Sequence, residues 1–149
     1  MSKPSLASFL SAIVLAGLVF SGLALADDRS EIADTINRLT KGIDEQDGDR
    51  LRSAFRDDAS IFATNPAGDD LVSLTAEAFA QLHADGRFGG QQRRVSIDNV
   101  DITEGLIAQA KVIAQNDEVH YTYYLGFVKL EGEWKILNFL QRSRPAETE

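Results

Sequence analysis

Few residues in this 149-residue chain can do chemistry. There are two histidines, His83 and His120, and no cysteine. An imidazole titrates near neutrality, so either histidine can act as a general base. His120 opens the run "HYTYY", where Thr122 and Tyr124 follow at strand spacing. No carboxylate stands at a spacing that would orient His120, and a half-exposed histidine bonded to water is the simpler reading. His83 falls near the end of a helical run. An imidazole there can meet the last carbonyls, and it reads as structural. Asp57-Asp58 is a carboxylate pair, but adjacent residues entering a strand point apart, which suits a solvated turn better than acid-base work. Arg93-Arg94 could clamp an anion. At a strand start in an acidic protein they read as exposed decoration. "GRFGG" lacks the Gly-Lys-Ser/Thr ending of a phosphate loop and precedes a strand. Without thiolates, and with its two histidines far apart, the chain is expected to hold no metal and no cofactor.

The elements that must position these residues follow from periodicity. Ile32, Ile36, Leu39 and Ile43 recur at intervals of four, three and four, one face of a helix over Asp28 to Glu45. Ser30 or Asp28 can cap its start. Gly48 interrupts the period, and Leu51 to Phe55 reads as a short second helix. "DDASIFAT" reads as a strand with Ala59, Ile61 and Ala63 on one side. "NPAGDD" is turn chemistry, and "LVSL" a short returning strand. Thr75 is an N-cap for "AEAFAQLHA". Four β-rich runs follow: "RRVSIDNVDI", "LIAQAKVIAQ", "VHYTYYLGFVKL" and "WKILNFLQRS". The links between them, "TEG", "NDE" and "EGE", are short enough to demand antiparallel hairpins. Helices, a hairpin, a helix and a meander make an α+β fold, with helices packed against a strongly curved antiparallel sheet. Such a sheet encloses a cone, and a cone that side chains leave unfilled is a pocket.

The start of the chain reads differently. One lysine precedes the uncharged run "LASFLSAIVLAGLVFSGLALA", which ends in the small-x-small site Ala24-Leu25-Ala26. Residues 1–26 are therefore expected to be a signal peptide and 27–149 a single exported domain, periplasmic or secreted. An uncleaved anchor is the alternative, since Leu6 to Leu25 has the length to span a bilayer. The net charge is −8, with 23 acidic against 15 basic residues. That balance argues against nucleic acid and against an anionic membrane surface as partners. Without disulfides, the domain must fold on its core alone.

Two stretches carry a family resemblance. "GIDEQDGDRLRSAFRDDASIF" and "LEGEWKILNF" resemble the helix–turn–helix–strand entry and the final hairpin of the nuclear transport factor 2-like superfamily, which includes SnoaL-like proteins and ketosteroid isomerases. Within it the sequence is most similar to the group named "Putative lumazine-binding". The resemblance spans nearly all of Ser30 to Arg142 and implies the cone-shaped fold, with "EGEWKI" turning the last strands back over the helices. Trp134 and Ile136 fall on one face of that strand, Leu137 and Phe139 on the other; either pair can line the cone.

The resemblance also bears on function. Matched to the ketosteroid isomerases, Leu39 takes the place of their tyrosine, Ala63 of their base and Gly126 of their second aspartate, so that chemistry is not expected. If Gly126 faces the cone, alternation turns His120, Thr122, Tyr124, Val128 and Leu130 inward with it. The implied ligand site is Tyr124, His120, Thr122, Leu39, Ile61, Ala63 and Gly126, with no catalytic residue. The opposite face would then carry Val119, Tyr121, Tyr123, Leu125 and Phe127, an apolar row that a homodimer would bury. The leading reading is an exported, non-catalytic binding protein for a small apolar or heteroaromatic molecule. The alternatives are a SnoaL-type enzyme using His120 and Tyr124, and a structural or partner-binding dimer module.

Overall fold

The structure, a computed structural model, describes residues 6–147, with side chains from residue 22 onward. Most of the expected leader therefore lies outside the described side chains. Helix α1 (Leu6–Glu45) runs without interruption into the domain. It needs no N-cap at Ser30 or Asp28, because the backbone there is already helical. Ile32, Ile36, Leu39 and Ile43 form its buried stripe, at 0 to 6% exposure. Gln46 takes a positive φ, and Asp47 caps α2 (Gly48–Ala54) by accepting from the Arg50 amide at 2.9 Å. Phe55 belongs to the next strand rather than to this helix. Thr75 caps α3 (Ala76–Ala84), its hydroxyl accepting from the Ala78 amide at 3.1 Å.

Six strands form one sheet: β1 (Phe55–Thr64), β2 (Leu71–Thr75), β3 (Arg94–Thr103), β4 (Ile107–Gln115), β5 (Val119–Leu130) and β6 (Glu133–Pro145). Their order is β2-β1-β6-β5-β4-β3. The four C-terminal strands form the antiparallel meander that their short links dictate. The sheet is mixed at one junction. The last strand inserts beside the first, and β1 and β6 run parallel. Glu131 and Gly132 both take positive φ, as a two-residue hairpin turn matched to strand twist requires.

Register shifts interrupt the ladders between Phe55 and Ser60, between Ile97 and Asn99, and on β6 opposite Gly126 and Phe127. Such bulges bend a sheet and raise its twist. The one on β6 settles which residues of the last strand face inward. Gly126 pairs with Asn138 and Phe127 with Ile136, so Leu137 is an extra residue. Simple alternation sets Phe139 opposite to Trp134 and Ile136. The bulge restores it to their side, and all three lie in the core at 0 to 2% exposure. Leu137 points away, 42% exposed.

Strand β5 faces opposite to the expected direction. Tyr123, Leu125 and Phe127 are 1 to 3% exposed, whereas Tyr124 is 53% exposed. His120, Thr122, Tyr124 and Gly126 therefore stand on the outer face. The expected direction depended on placing Gly126 toward the cone, and strand side chains have a period of two. An error of one residue there flips the whole set. The row expected to form a dimer surface supplies core residues instead. Tyr123 meets Phe139 edge-on at 5.0 Å, Phe139 meets Phe79 at 5.6 Å, and Phe79 meets Phe55 at 5.8 Å.

Candidate functional site

Beneath the sheet, a cavity of about 680 Å³ opens between α3, the end of α1, the β1–β2 hairpin and the loop that follows α3. Two of the expected site residues, Ile61 and Ala63, stand on its wall. With them, Val72, Leu74, Phe79 and Leu82 make the wall largely apolar. Leu39, also expected there, is fully buried in the core of α1 and does not reach the cavity. Tyr124 and Gly126 border a separate open trough of about 800 Å³ on the outer face, alongside Asn138, Leu140 and Lys111. His120 shares that outer face, with its Nδ1 3.1 Å from Oε1 of Gln115 rather than near a carboxylate.

The polar groups of the cavity come from elsewhere. Arg93 precedes β3, and its side chain is only 3% exposed, against the expectation of an exposed strand start; its neighbour Arg94 is exposed. A buried guanidinium must be paired and hydrogen-bonded. Arg93 Nε donates to Oδ1 of Asp44 at 2.5 Å, and a second nitrogen donates to the Thr40 carbonyl at 3.2 Å. A third donates to the Tyr123 hydroxyl. The guanidinium also lies 5.3 Å from the centre of the Tyr121 ring, a cation–π distance. Burial pushes the Tyr123 phenol up to about 12, although Arg93 pulls the other way. The phenol therefore stays protonated at neutral pH.

His83 is the second polar feature. It is 4% exposed, and its Nδ1 is 2.8 Å from the Phe79 carbonyl. A carbonyl only accepts, so this nitrogen carries the proton. Burial holds the imidazole below its ordinary pKa. The Phe79 carbonyl opposes that shift and the Arg93 charge adds to it. At neutral pH the ring is therefore neutral and its Nε2 is an acceptor. Among the described residues Nε2 has no protein partner, and no sealed side-chain nitrogen or oxygen lacks one. Nε2 is thus not sealed, and it belongs to a residue that lines the cavity. The last-turn carbonyl contact anticipated for His83 is present; its place on the wall was not anticipated.

Tyr121, Gln141 and Ser143 complete the inner polar set, and Asn65, Arg87 and Gln91 also border the cavity. Among the described residues no aspartate or glutamate lines it. The reversal of β5 does not restore an isomerase carboxylate, because the inward neighbours of Gly126 are Leu125 and Phe127. Among the described residues no cluster of three or more histidine, aspartate or glutamate side chains could hold a metal. What the arrangement can do is enclose an apolar body and orient it through a few polar groups.

The profile of a family described as "Putative lumazine-binding" matches residues 27–140. Among solved structures, an NTF2-like protein of unknown function from Shewanella baltica OS155 superposes with a TM-score of 0.71 at 20% identity, covering 81% of this chain and 97% of that one. An NTF2-like protein of unknown function from Methylobacillus flagellatus KT gives 0.68 at 26%, covering 79% and 93%. A ketosteroid isomerase-like protein from Erwinia carotovora atroseptica SCRI1043 gives 0.64 at 11%, covering 80% and 96%. No curated protein matches the chain. The fold is the cone-shaped one that the two sequence stretches implied.

Proposed function

This chain belongs to the family described as "Putative lumazine-binding", and on that premise we propose that it is a binding protein whose cavity takes one small, flat, apolar or heteroaromatic molecule. The observation that carries this reading is the unfilled space of about 680 Å³ beneath the sheet. Ligand sites are typically about 300–1,000 Å³, with apolar walls and a few polar groups that fix orientation. A module whose cone served only its own packing would fill that space with side chains. The enzyme reading rested on His120 and Tyr124, which stand on the other face. A wall without a carboxylate, and Leu39 and Ala63 in the places of a tyrosine and a base, favour binding without turnover. The test is native mass spectrometry of protein isolated from its own compartment, followed by fluorescence titration with lumazine and with riboflavin. Protein that carries no ligand and leaves both fluorophores unquenched at millimolar concentration overturns the reading.

The same proposal sets the domain outside the cytoplasm, with cleavage after Ala26. The lysine, the apolar run and the Ala24-Leu25-Ala26 site support it, and the family match begins at the next residue, Asp27. Intact mass of the exported protein decides it; a full-length chain in the membrane fraction contradicts it. Self-association through the outer sheet face also belongs to this proposal, with different residues from those first expected. Phe62, Leu140 and Tyr124 are cross-strand neighbours there, and the latter two are 43% and 53% exposed. Sedimentation equilibrium that gives a monomer at tens of micromolar rules it out.

A further inference from the structure

The binding reading fixes no charge for the ligand, but the cavity wall carries information on that point. The chain has 23 acidic residues and a net charge of −8, yet among the described residues no acid lines the cavity. Three basic side chains do: Arg93, His83 and Arg87. Arg93 is compensated by Asp44 at 2.5 Å, and His83 is held neutral. Arg87 has no carboxylate within ion-pair distance among the described residues. Arg50, Arg52, Arg56, Arg94 and Arg144 each have one; Arg29, Arg38 and Arg142 likewise have none among the described residues, but they do not line the cavity. The nearest acid in sequence, Asp85, accepts from Gln81 Nε2 at 2.7 Å.

The backbone fixes where this charge sits. The Arg87 amide donates to the Leu82 carbonyl at 3.0 Å. Gln46 Nε2 donates to the Phe88 carbonyl at 2.9 Å, and the Gly90 amide donates to the Ile43 carbonyl at 3.1 Å. Gly86, Gly89 and Gly90 all take positive φ, which lets the loop turn this tightly. Arg87 is thereby held at the rim beside Phe88, whose ring is 55% exposed and also lines the cavity.

Building on the binding reading, we propose that the ligand is a flat aromatic or heteroaromatic anion whose acidic group pairs with Arg87 at the rim while its far end donates a hydrogen bond to Nε2 of His83. An acid on the wall would repel such a ligand, and among the described residues the wall has none. Arg87 is exposed before binding, so its charge costs little to maintain and gains a partner on binding. His83 selects a donor, because a neutral ring with its proton on Nδ1 offers only a lone pair at Nε2.

Two dyes that share a phenylnaphthylamine skeleton test this: 8-anilinonaphthalene-1-sulfonate, an anion, and N-phenyl-1-naphthylamine, which is neutral. Arg87→Gln should weaken the sulfonate roughly threefold to tenfold, the range of a half-exposed charged contact, and leave the neutral dye within about twofold, where no charged contact is lost. Arg87→Lys should recover most of the loss. Affinity for the anion, and not for its neutral twin, should fall as salt rises. Equal weakening of both dyes, or of neither, overturns the anion inference while the binding reading stands. Ala63→Trp, which sets a large side chain into the cavity beside Ile61, should weaken binding of both dyes alike. Affinities for both dyes that this substitution leaves unchanged overturn the cavity reading and the anion inference with it.

Discussion

The indole N–H of Trp134 donates to Oδ1 of Asp28 at 2.9 Å, across 106 positions of sequence. The same oxygen accepts from Lys129 Nζ at 2.8 Å. The start of the folded domain is thus fastened to the last hairpin through one carboxylate. Thr35, two turns along α1, adds a hydroxyl donor to the Trp134 carbonyl at 3.1 Å. The hydrogen bonds from Lys129 and Trp134 hold the Asp28 carboxyl below its ordinary pKa, against the effect of burial. A depressed carboxylate stabilises the fold above its unfolded pKa, and the contribution disappears as pH falls through the folded value. Asp28→Ala should cost about 2–3 kcal/mol at neutral pH, because it orphans an indole donor and a lysine. The variant should also lose less stability than wild type between about pH 5 and pH 3. Urea denaturation across that range measures both effects, and parallel curves for the two proteins would contradict the assignment.

Two glycines invite opposite expectations. Gly89 has φ +74°, and a Cβ there would stand 2.1 Å from the Ile43 carbonyl oxygen. Gly89→Ala should cost at least about 2 kcal/mol, or displace the loop that carries Arg87 and Phe88 and so weaken dye binding. Gly126 lies in a strand, and a Cβ there would come no closer than 3.5 Å to Asn138. Gly126→Ala should stay within about 0.5 kcal/mol of wild type and leave binding unchanged. Thermal melts with and without dye read both variants.

The helices and strands were legible because their periods and caps are local. The stripe from Ile32 to Ile43, the Thr75 cap and the three short β-links each specify an element without help from the rest of the chain. Which face of β5 looks inward is not local. The run from Val119 to Phe127 carries an apolar row on one side and His120, Thr122, Tyr124 and Gly126 on the other, a pattern that reads as core against solvent or as association surface against pocket. The apolarity of Tyr123, Leu125 and Phe127 was itself a core signal; setting Gly126 toward the cone overrode it and left that row as an association surface. The outward bulge at Leu137 has no sequence mark. Arg93 lay beyond reach for another reason: its role depends on Asp44 and Thr40, which only the folded chain brings alongside. The contact of His83 with the Phe79 carbonyl is local to α3 and was legible, whereas its place on the cavity wall depends on the fold.

The Arg93–Asp44 pair should behave as a buried ion pair. Arg93→Met leaves a carboxylate that is 11% exposed without its partner and should cost about 3 kcal/mol. Adding Asp44→Leu should recover most of that loss. A double variant no more stable than the single would refute the pairing. Tyr123→Phe removes the hydroxyl that Arg93 contacts and should cost about 1–2 kcal/mol. It should also change the alkaline limb. A phenol raised to about 12 by burial holds its proton more tightly folded than unfolded. Its contribution is complete below the ordinary tyrosine value of about 10 and is lost as pH climbs from there. Wild type should therefore lose stability over that range faster than Tyr123→Phe.

The direction of β5 is open to a direct test with two tyrosines. Tyr121 and Tyr123 line the cavity, their rings 6.0 Å apart, with the Arg93 guanidinium 5.3 Å from the first. Tyr124 stands across the sheet from them, paired with Leu140 on the outer face. Tyr121→Leu removes a stacking face from a half-buried position without opening the core. It should weaken binding of the anionic and the neutral dye alike by roughly fivefold to tenfold, about 1–1.4 kcal/mol, the scale of one aromatic contact. Tyr124→Leu should leave both affinities unchanged and, if the outer face self-associates, shift the sedimentation profile toward monomer. Tyr124 also lies beside Lys111 in the outer trough, so a dye bound there would respond in the opposite pattern, weakened by Tyr124→Leu and indifferent to Tyr121→Leu. That outcome would move the binding site to the outer face and leave the cavity without a role.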